Sequence, residues 1–288
     1  MPPATIKEFW HREFKVRLLK DGHAYRAVAW DRQNTEVARL TGETLEDAEA
    51  EMRAELNARS ADFIGLPGAI NLFRRAFPDG FGSPFYEHYE GYKVDAAAFM
   101  RTEITQDFVK SEIDAGRHEA VAAQARRAFS KSNLTSPYEQ MALGNALKDL
   151  KNLPVFARGL YELLYGEFDA GLQRLAALLK PYKAAKWPIL TYWPFFRFPD
   201  RHAFLKPEIA KVCAYRLGRD LDYDPTPNPR SYSSFLDLVA YMREGIQVLG
   251  PRDNIDLQTF MYVTGTEGYV AAAIADREKW ESSKNPSS

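Results

Sequence analysis

A single cysteine, Cys213, in a chain of 288 residues excludes an internal disulfide framework and any cysteine-rich zinc site. Flanked as Lys-Val-Cys-Ala-Tyr on a helical pattern, it reads as a small buried hydrophobe rather than a nucleophile. Long hydrophobic runs are missing as well. No stretch approaches the roughly 18 uninterrupted apolar residues of a membrane span, and the N-terminus lacks the basic-then-apolar pattern of a signal peptide. No membrane partner is expected, and a cytoplasmic location is. Histidine is scarce: His11, His23, His88, His118 and His202 lie far apart, so a poly-His metal site would need long-range assembly. A glycine-rich phosphate loop ending in Lys-Ser or Lys-Thr, a Rossmann fingerprint, a His-Glu-x-x-His helix and Gly-x-Ser-x-Gly are all absent. Acyl-transfer and NTP-dependent chemistry lose their support, and neither a cofactor nor a metal is expected. Charge of one sign is missing too, with 38 Lys and Arg against 39 Asp and Glu, which argues against a protein that coats nucleic acid non-specifically.

The near-zero net charge conceals a division within the chain. Between Lys151 and Arg219 stand twelve Lys and Arg against five Asp and Glu, a net +7, whereas the residues beyond Arg219 are acidic. Such a segment is either a local anion-binding face or a solvated helical surface. The fold class reads as mainly α: a small β-β-β-α accessory module over 1–60, a multi-helix globular domain over 61–281, and a disordered tail over 282–288. "FKVRLLKDGHAYRAVAW", Phe14 to Trp30, alternates apolar and polar residues around Asp21-Gly22, as a two-strand hairpin does. A third strand fits Glu36 to Leu40, and Thr44 caps a helix carrying "LEDAEAEMRAELNA". Met1 to Thr5 reads as a loose tail. From Ser60 onward helices follow one another, the clearest start being Ser136-Pro137-Tyr138-Glu139, a capping box with proline at the first helical position. Phe77 to Lys93, "FPDGFGSPFYEHYEGYK", reads as a loop rich in Gly, Pro and aromatics.

Three stretches hold chemistry. In "TYWPFFRFPDRHAFLKPEIAK", Asp200, Arg201 and His202 precede a helix beginning near Pro207, where free N–H groups favour anions. Tyr192, Trp193 and Phe195 either wall a pocket, offering stacking faces to a nucleobase, or are core. Lys206, held extended by Pro207, stands at the helix mouth. In "LGPRDNIDLQTFMYVTGTEG", Asp253 and Asp256 begin a long helix and suit its dipole whether or not they do chemistry. A third set, Glu87, His88, Glu90, Tyr92 and Lys93, is dense in acids, bases and hydrogen-bonding groups, as a polar loop also is.

In order and spacing, the run from Leu172 to Gly218, followed by a long helix and then Leu249 to Gly268, resembles the core of the helix-hairpin-helix DNA glycosylase superfamily. "PDRHAFLKPEIAKVCAYRLG" sets Asp200, His202 or Lys206 near that family's catalytic aspartate, Arg216-Leu217-Gly218 matches a helix end, and "PRDNIDLQTFMYVTG" matches the closing segment. About one third of the chain is covered, without the family's Gly-x-Gly hairpin, since no glycine lies between Gly171 and Gly218. The resemblance implies a DNA-acting hydrolase that excises a flipped base. Asp200 or Asp256 would stabilise charge on the sugar, and His202 or Lys206 would position or protonate the base, Lys206 alternatively acting as an amine nucleophile. Arg197, Arg201, Lys211 and Arg216 would hold the DNA backbone, with Tyr192, Trp193 and Phe195 around the base. Two other readings stand beside it: a non-catalytic helical module that binds nucleic acid or protein, and a structural or regulatory homodimer joined through the N-terminal module.

Overall fold

The structure, a computed structural model, describes residues 4–60 and 62–284. It is mainly helical, with a small antiparallel sheet at the start of the chain. Two compact units divide it, one made of residues up to Gly65 together with Ala214–Asp220, the other of Leu66–Cys213 and Leu221 onward. Residues 214–220, expected in the helical domain, thus pack with the N-terminal unit.

In the first unit β1 (Ala4–His11), β2 (Phe14–Asp21), β3 (Ala24–Trp30) and β4 (Glu36–Gly42) form a meander in chain order, backed by α1 (Leu45–Arg59). Alternation puts Val16, Leu18, Ala27 and Ala29 on one face of the sheet, where they meet Ala48, Met52 and Leu56 of α1. Thr44 caps α1, its hydroxyl accepting from the Asp47 N–H at 3.1 Å. Gly42 is required where β4 meets this helix: a Cβ there would lie 2.5 Å from the Ala48 nitrogen. The module has one strand more than the sequence suggests. Ala4 and Thr5, read as tail, belong to β1, an edge strand exposed along most of its length and therefore without alternation. The β1–β2 turn gives no signal either, because Arg12, not Gly or Asn, takes the left-handed conformation at φ 55°. Its guanidinium lies 3.6 Å from the centre of the Tyr215 ring and donates to the Tyr215 carbonyl at 2.5 Å.

The second unit is built from α2 (Gly65–Ala76), α3 (Pro84–Glu103), α4 (Gln106–Asp114), α5 (His118–Phe129), α6 (Pro137–Lys148), α7 (Leu153–Tyr165) and α8 (Phe168–Leu179), then α9 (Trp187–Leu190), α10 (Tyr192–Arg197), α11 (Pro207–Arg216) as far as Cys213, α12 (Pro229–Gly245), α13 (Asn254–Gly265) and α14 (Tyr269–Lys284). Short α10 is its centre, touching α3, α5, α7 and α13. The capping box at Ser136 and Glu139 is formed in full. The stretch from Phe77 to Lys93 is not a loop throughout. Gly80 to Gly82 make one 3-10 turn; Ser83 then caps α3, accepting from the Tyr86 N–H at 3.0 Å, and Pro84 fits the first turn, where no N–H is needed. Ser282, Ser283 and Lys284, read as tail, complete α14; Met1 to Pro3 and Asn285 to Ser288 lie outside the described residues. Among the described residues no helix is long and apolar enough to cross a membrane.

Candidate functional site

The capped start of α3 and the start of α13 bring two sequence clusters together. Asp253 caps α13, its carboxylate accepting from the Ile255 N–H at 2.8 Å, and burial raises its pKa. One turn on, Asp256 is buried and every face of its carboxylate is used. Oδ1 accepts from the Tyr86 hydroxyl at 2.8 Å and from Arg252 Nη2 at 3.0 Å. Oδ2 accepts from the Arg252 backbone N–H at 2.8 Å and from Arg252 Nε at 2.9 Å. The bidentate fork pushes Arg252 further up, and desolvation followed by the charge of Asp256 pushes the Tyr86 phenol up, so Tyr86 keeps the proton it donates.

Tyr86 also reaches Thr259 Oγ1 at 3.3 Å, and the same oxygen accepts from Lys93 Nζ at 2.8 Å. Lys93 stands 2.8 Å from Glu90 Oε2, and both side chains are withdrawn from water, with exposures of 2% and 5%. Glu90 Oε1 accepts from the Tyr269 hydroxyl at 2.5 Å. No donor makes a well-directed hydrogen bond to Glu90 Oε2, although the ammonium nearby balances its charge. Three further phenols surround the pair. Burial first, and then the Glu90 charge, raises Tyr92 and Tyr269; burial with the charges of Glu139 and Glu90 pushes Tyr262 up to about 12. All remain neutral donors at physiological pH. A chain of contacts thus runs from Arg252 through Asp256, Tyr86, Thr259 and Lys93 to Glu90 and Tyr269.

A cavity of about 390 Å³ opens beside this chain, lined by Tyr86, Glu87, Glu90, Asp95, Arg252 and Asp256 among others. Counting Lys93 behind Glu90, four carboxylates face two cations there. Among the described residues no group of three or more His, Cys, Asp or Glu is placed to hold a metal. The arrangement offers carboxylate acceptors, neutral phenol donors and an excess of negative charge.

Of the two readings of the rings around residue 193, pocket wall or core, the structure has the core. Tyr192, Trp193 and Phe195 are 0% exposed. The Tyr192 hydroxyl donates to the Ala128 carbonyl at 2.8 Å, and the Trp193 indole N–H to that of Ala125 at 3.0 Å, so the polar edge of each ring is satisfied inside the protein. These rings are the hub on which α3, α5 and α7 pack, and hydrophobic burial outweighs any stacking role.

Asp200 and Asp256, the two acids offered for stabilising charge on the sugar, point to different surroundings. The main chains do meet, with the Asn254 N–H donating to the Pro199 carbonyl at 2.9 Å and the Asn254 amide to the His202 carbonyl at 2.9 Å. The side chains part: Asp200 is 72% exposed and 3.5 Å from Arg201, whereas Asp256 turns inward to Tyr86 and Arg252. His202 stacks on Phe168, centroids 4.7 Å apart, and desolvation, helped by Arg201, lowers its pKa to about 4, leaving it neutral. Lys206 donates to the Leu134 carbonyl at 3.1 Å. Of the basic residues, Arg197 and Arg201 lie over the Phe198 ring at 4.6 and 4.4 Å, and Lys211 pairs with Glu208 at 2.6 Å. Arg216 belongs to the first unit, in the last turn of α11.

No protein-family model, no curated protein and no solved structure matches this chain, so the functional reading rests on its own geometry. Glu90 and Lys93 were legible within a polar, titratable set and Asp256 as a helix-start acid, whereas Tyr86 was not singled out. That Ser83-Pro84 opens a helix, which turns residues 86, 90 and 93 to one side at intervals of four and three, is the signal that would have joined them.

Proposed function

We propose that the protein binds a small organic cation, an amine or diamine, in the cavity between α3 and the start of α13. The observation that carries this is the charge of the lining, where the carboxylates of Glu87, Glu90, Asp95 and Asp256 outnumber Arg252 and the Lys93 ammonium paired with Glu90. The surplus of carboxylates favours a cation over a neutral donor, and the lack of a metal-holding group among the described residues favours an organic one. Asp256, with its four hydrogen bonds, supports binding rather than proton transfer. The test is thermal unfolding with 1,4-diaminobutane, with 1,4-butanediol and with inorganic phosphate. The diamine raises Tm, by an amount corresponding to about 2.7 kcal/mol at a hundred times Kd, and the diol and phosphate do not. Replacing the exposed acids, Glu87→Gln with Asp95→Asn, weakens the effect while leaving Tm in buffer near that of the parent. Equal responses to diamine and diol, or none to either, overturn the reading.

A DNA-acting role, with hydrolysis of a glycosidic bond as its finer form, has one observation of its own. The Phe198 ring is only partly buried and carries the guanidinium groups of Arg197 and Arg201, a cation and aromatic combination suited to single-stranded nucleic acid. Binding of a labelled oligonucleotide that weakens steeply with salt, and is lost in Arg197→Ala with Arg201→Ala, supports it. Salt-independent or absent binding removes it.

A further inference from the structure

A second cavity of about 330 Å³, also within the helical unit, lies around Lys206 and differs in kind. Its walls are apolar and aromatic: Trp187, Tyr223 and Ile209, with Pro188, Pro207 and Pro225. Small-molecule sites are built this way, mostly apolar with a few placed polar groups, and 330 Å³ is toward the lower end of their size range of about 300–1,000 Å³. The walls are also held firmly. The Trp187 indole N–H donates to the Asp224 carbonyl at 2.8 Å, and three prolines with fixed φ leave little main-chain freedom to lose on binding.

The polar groups are two lysines and two carboxylates, and the carboxylates are engaged elsewhere. Glu139 Oε2 accepts the Ser136 N–H at 2.6 Å in the capping box, and Glu208 pairs with Lys211 at 2.6 Å. Lys206 is the residue just before Pro207, and its carbonyl receives the first N–H of α11, from Ala210, at 2.9 Å. Its ammonium has three N–H groups. One is given to the Leu134 carbonyl at 3.1 Å, while Glu139 stands off at 3.8 Å, beyond a hydrogen bond. Lys186, exposed, adds a second cation at the rim. The start of the ten-residue α11, with N–H groups unpaired within the helix, faces the same cavity through Glu208 and Ile209.

We infer that this cavity is a binding site for a small aromatic carboxylate, the ring against Tyr223, Pro207 and Pro225 above the buried Trp187 and the carboxylate on Lys206. The apolar wall selects the ring, and the ammonium, with N–H groups beyond the one given to Leu134, selects the anion. This site is independent of the acid-lined cavity, whose charge favours the opposite sign of ligand.

The experiment is ligand-observed and NOE NMR on the full chain with benzoate, with benzamide as its neutral counterpart. Benzoate binds saturably, benzamide binds at least tenfold more weakly, and NOEs run from the benzoate ring to the ring protons of Tyr223 and the side-chain protons of Pro207. Lys206→Met weakens benzoate at least tenfold and narrows the gap to benzamide; Lys186→Met, at the exposed rim, weakens it less. The NOE and benzamide comparisons use the unaltered protein, so they decide the matter even where Lys206→Met does not fold. Equal binding of the two probes, no saturable benzoate binding, NOEs elsewhere, or unchanged benzoate affinity in folded Lys206→Met overturns the inference.

Discussion

Removing the ammonium of Lys93 is the sharpest probe of the polar chain behind the acid-lined cavity. At 2.8 Å the Glu90–Lys93 attraction is about 6 kcal/mol for an effective dielectric of about 20, and desolvating two ions opposes it by several kcal/mol each. The pair as a whole therefore contributes little net stability, yet each half depends strongly on the other. Lys93→Met leaves a carboxylate 5% exposed with only neutral phenols, Tyr269 and Tyr92, as partners, and costs about 3–5 kcal/mol. Glu90→Gln preserves an acceptor for Tyr269 but strands the ammonium, at a similar cost. Changing both restores neutrality, so the double variant lies within about 1–3 kcal/mol of the parent, a coupling of at least about 2 kcal/mol. Urea unfolding followed by far-UV circular dichroism, which the helical unit dominates, reads all four proteins. A cost below about 1 kcal/mol for Lys93→Met, or a double variant equal to the sum of the singles, would refute the account of a buried, mutually dependent pair.

Three other outcomes follow from the same geometry. The folded protein holds His202 at a pKa of about 4, below its ordinary 6.5, so the unfolded chain binds the proton more readily; the contribution, on the order of 3 kcal/mol, is present above pH 6.5 and is lost as pH falls toward 4. Unfolding of His202→Gln across that window is flatter, and an unchanged slope contradicts the burial of a neutral ring. Phe195→Ala, at a fully buried hub position, costs about 3–5 kcal/mol in the same urea assay, while a cost under 1 kcal/mol would return Phe195 to a pocket wall. Gln258 is buried with neither amide atom hydrogen-bonded, so Gln258→Met raises stability by about 1 kcal/mol or more; a loss would reveal a partner for that amide.

The helical class, the capping box at Ser136 and the Phe14–Trp30 hairpin were readable because each rests on a local rule: a cap, a proline at the first turn, a two-residue turn with glycine at φ 66°. The β1–β2 turn was not, because its left-handed residue is an arginine held by Tyr215, some two hundred positions away. The start of α3 shows the opposite failure. Gly80, Gly82 and Pro84 weigh toward a loop when counted as composition, whereas Ser83 followed by Pro84 marks a helix when taken by position. At the site, sequence supplied the right polar residues but not their partners. Whether Asp256 faces water, Asp200 or Tyr86 depends on tertiary packing that no local spacing encodes, and aromatic density by itself does not distinguish an open wall from a filled centre.

Arg12 and its distant tyrosine bear on the order of events during synthesis. The sheet and its helix leave the ribosome early, but the segment that clasps their first hairpin follows only after about 150 further residues have been made. The N-terminal module must therefore wait, incompletely fastened, while the intervening helices emerge, and a fragment ending at Gly65 would lack its own clasp.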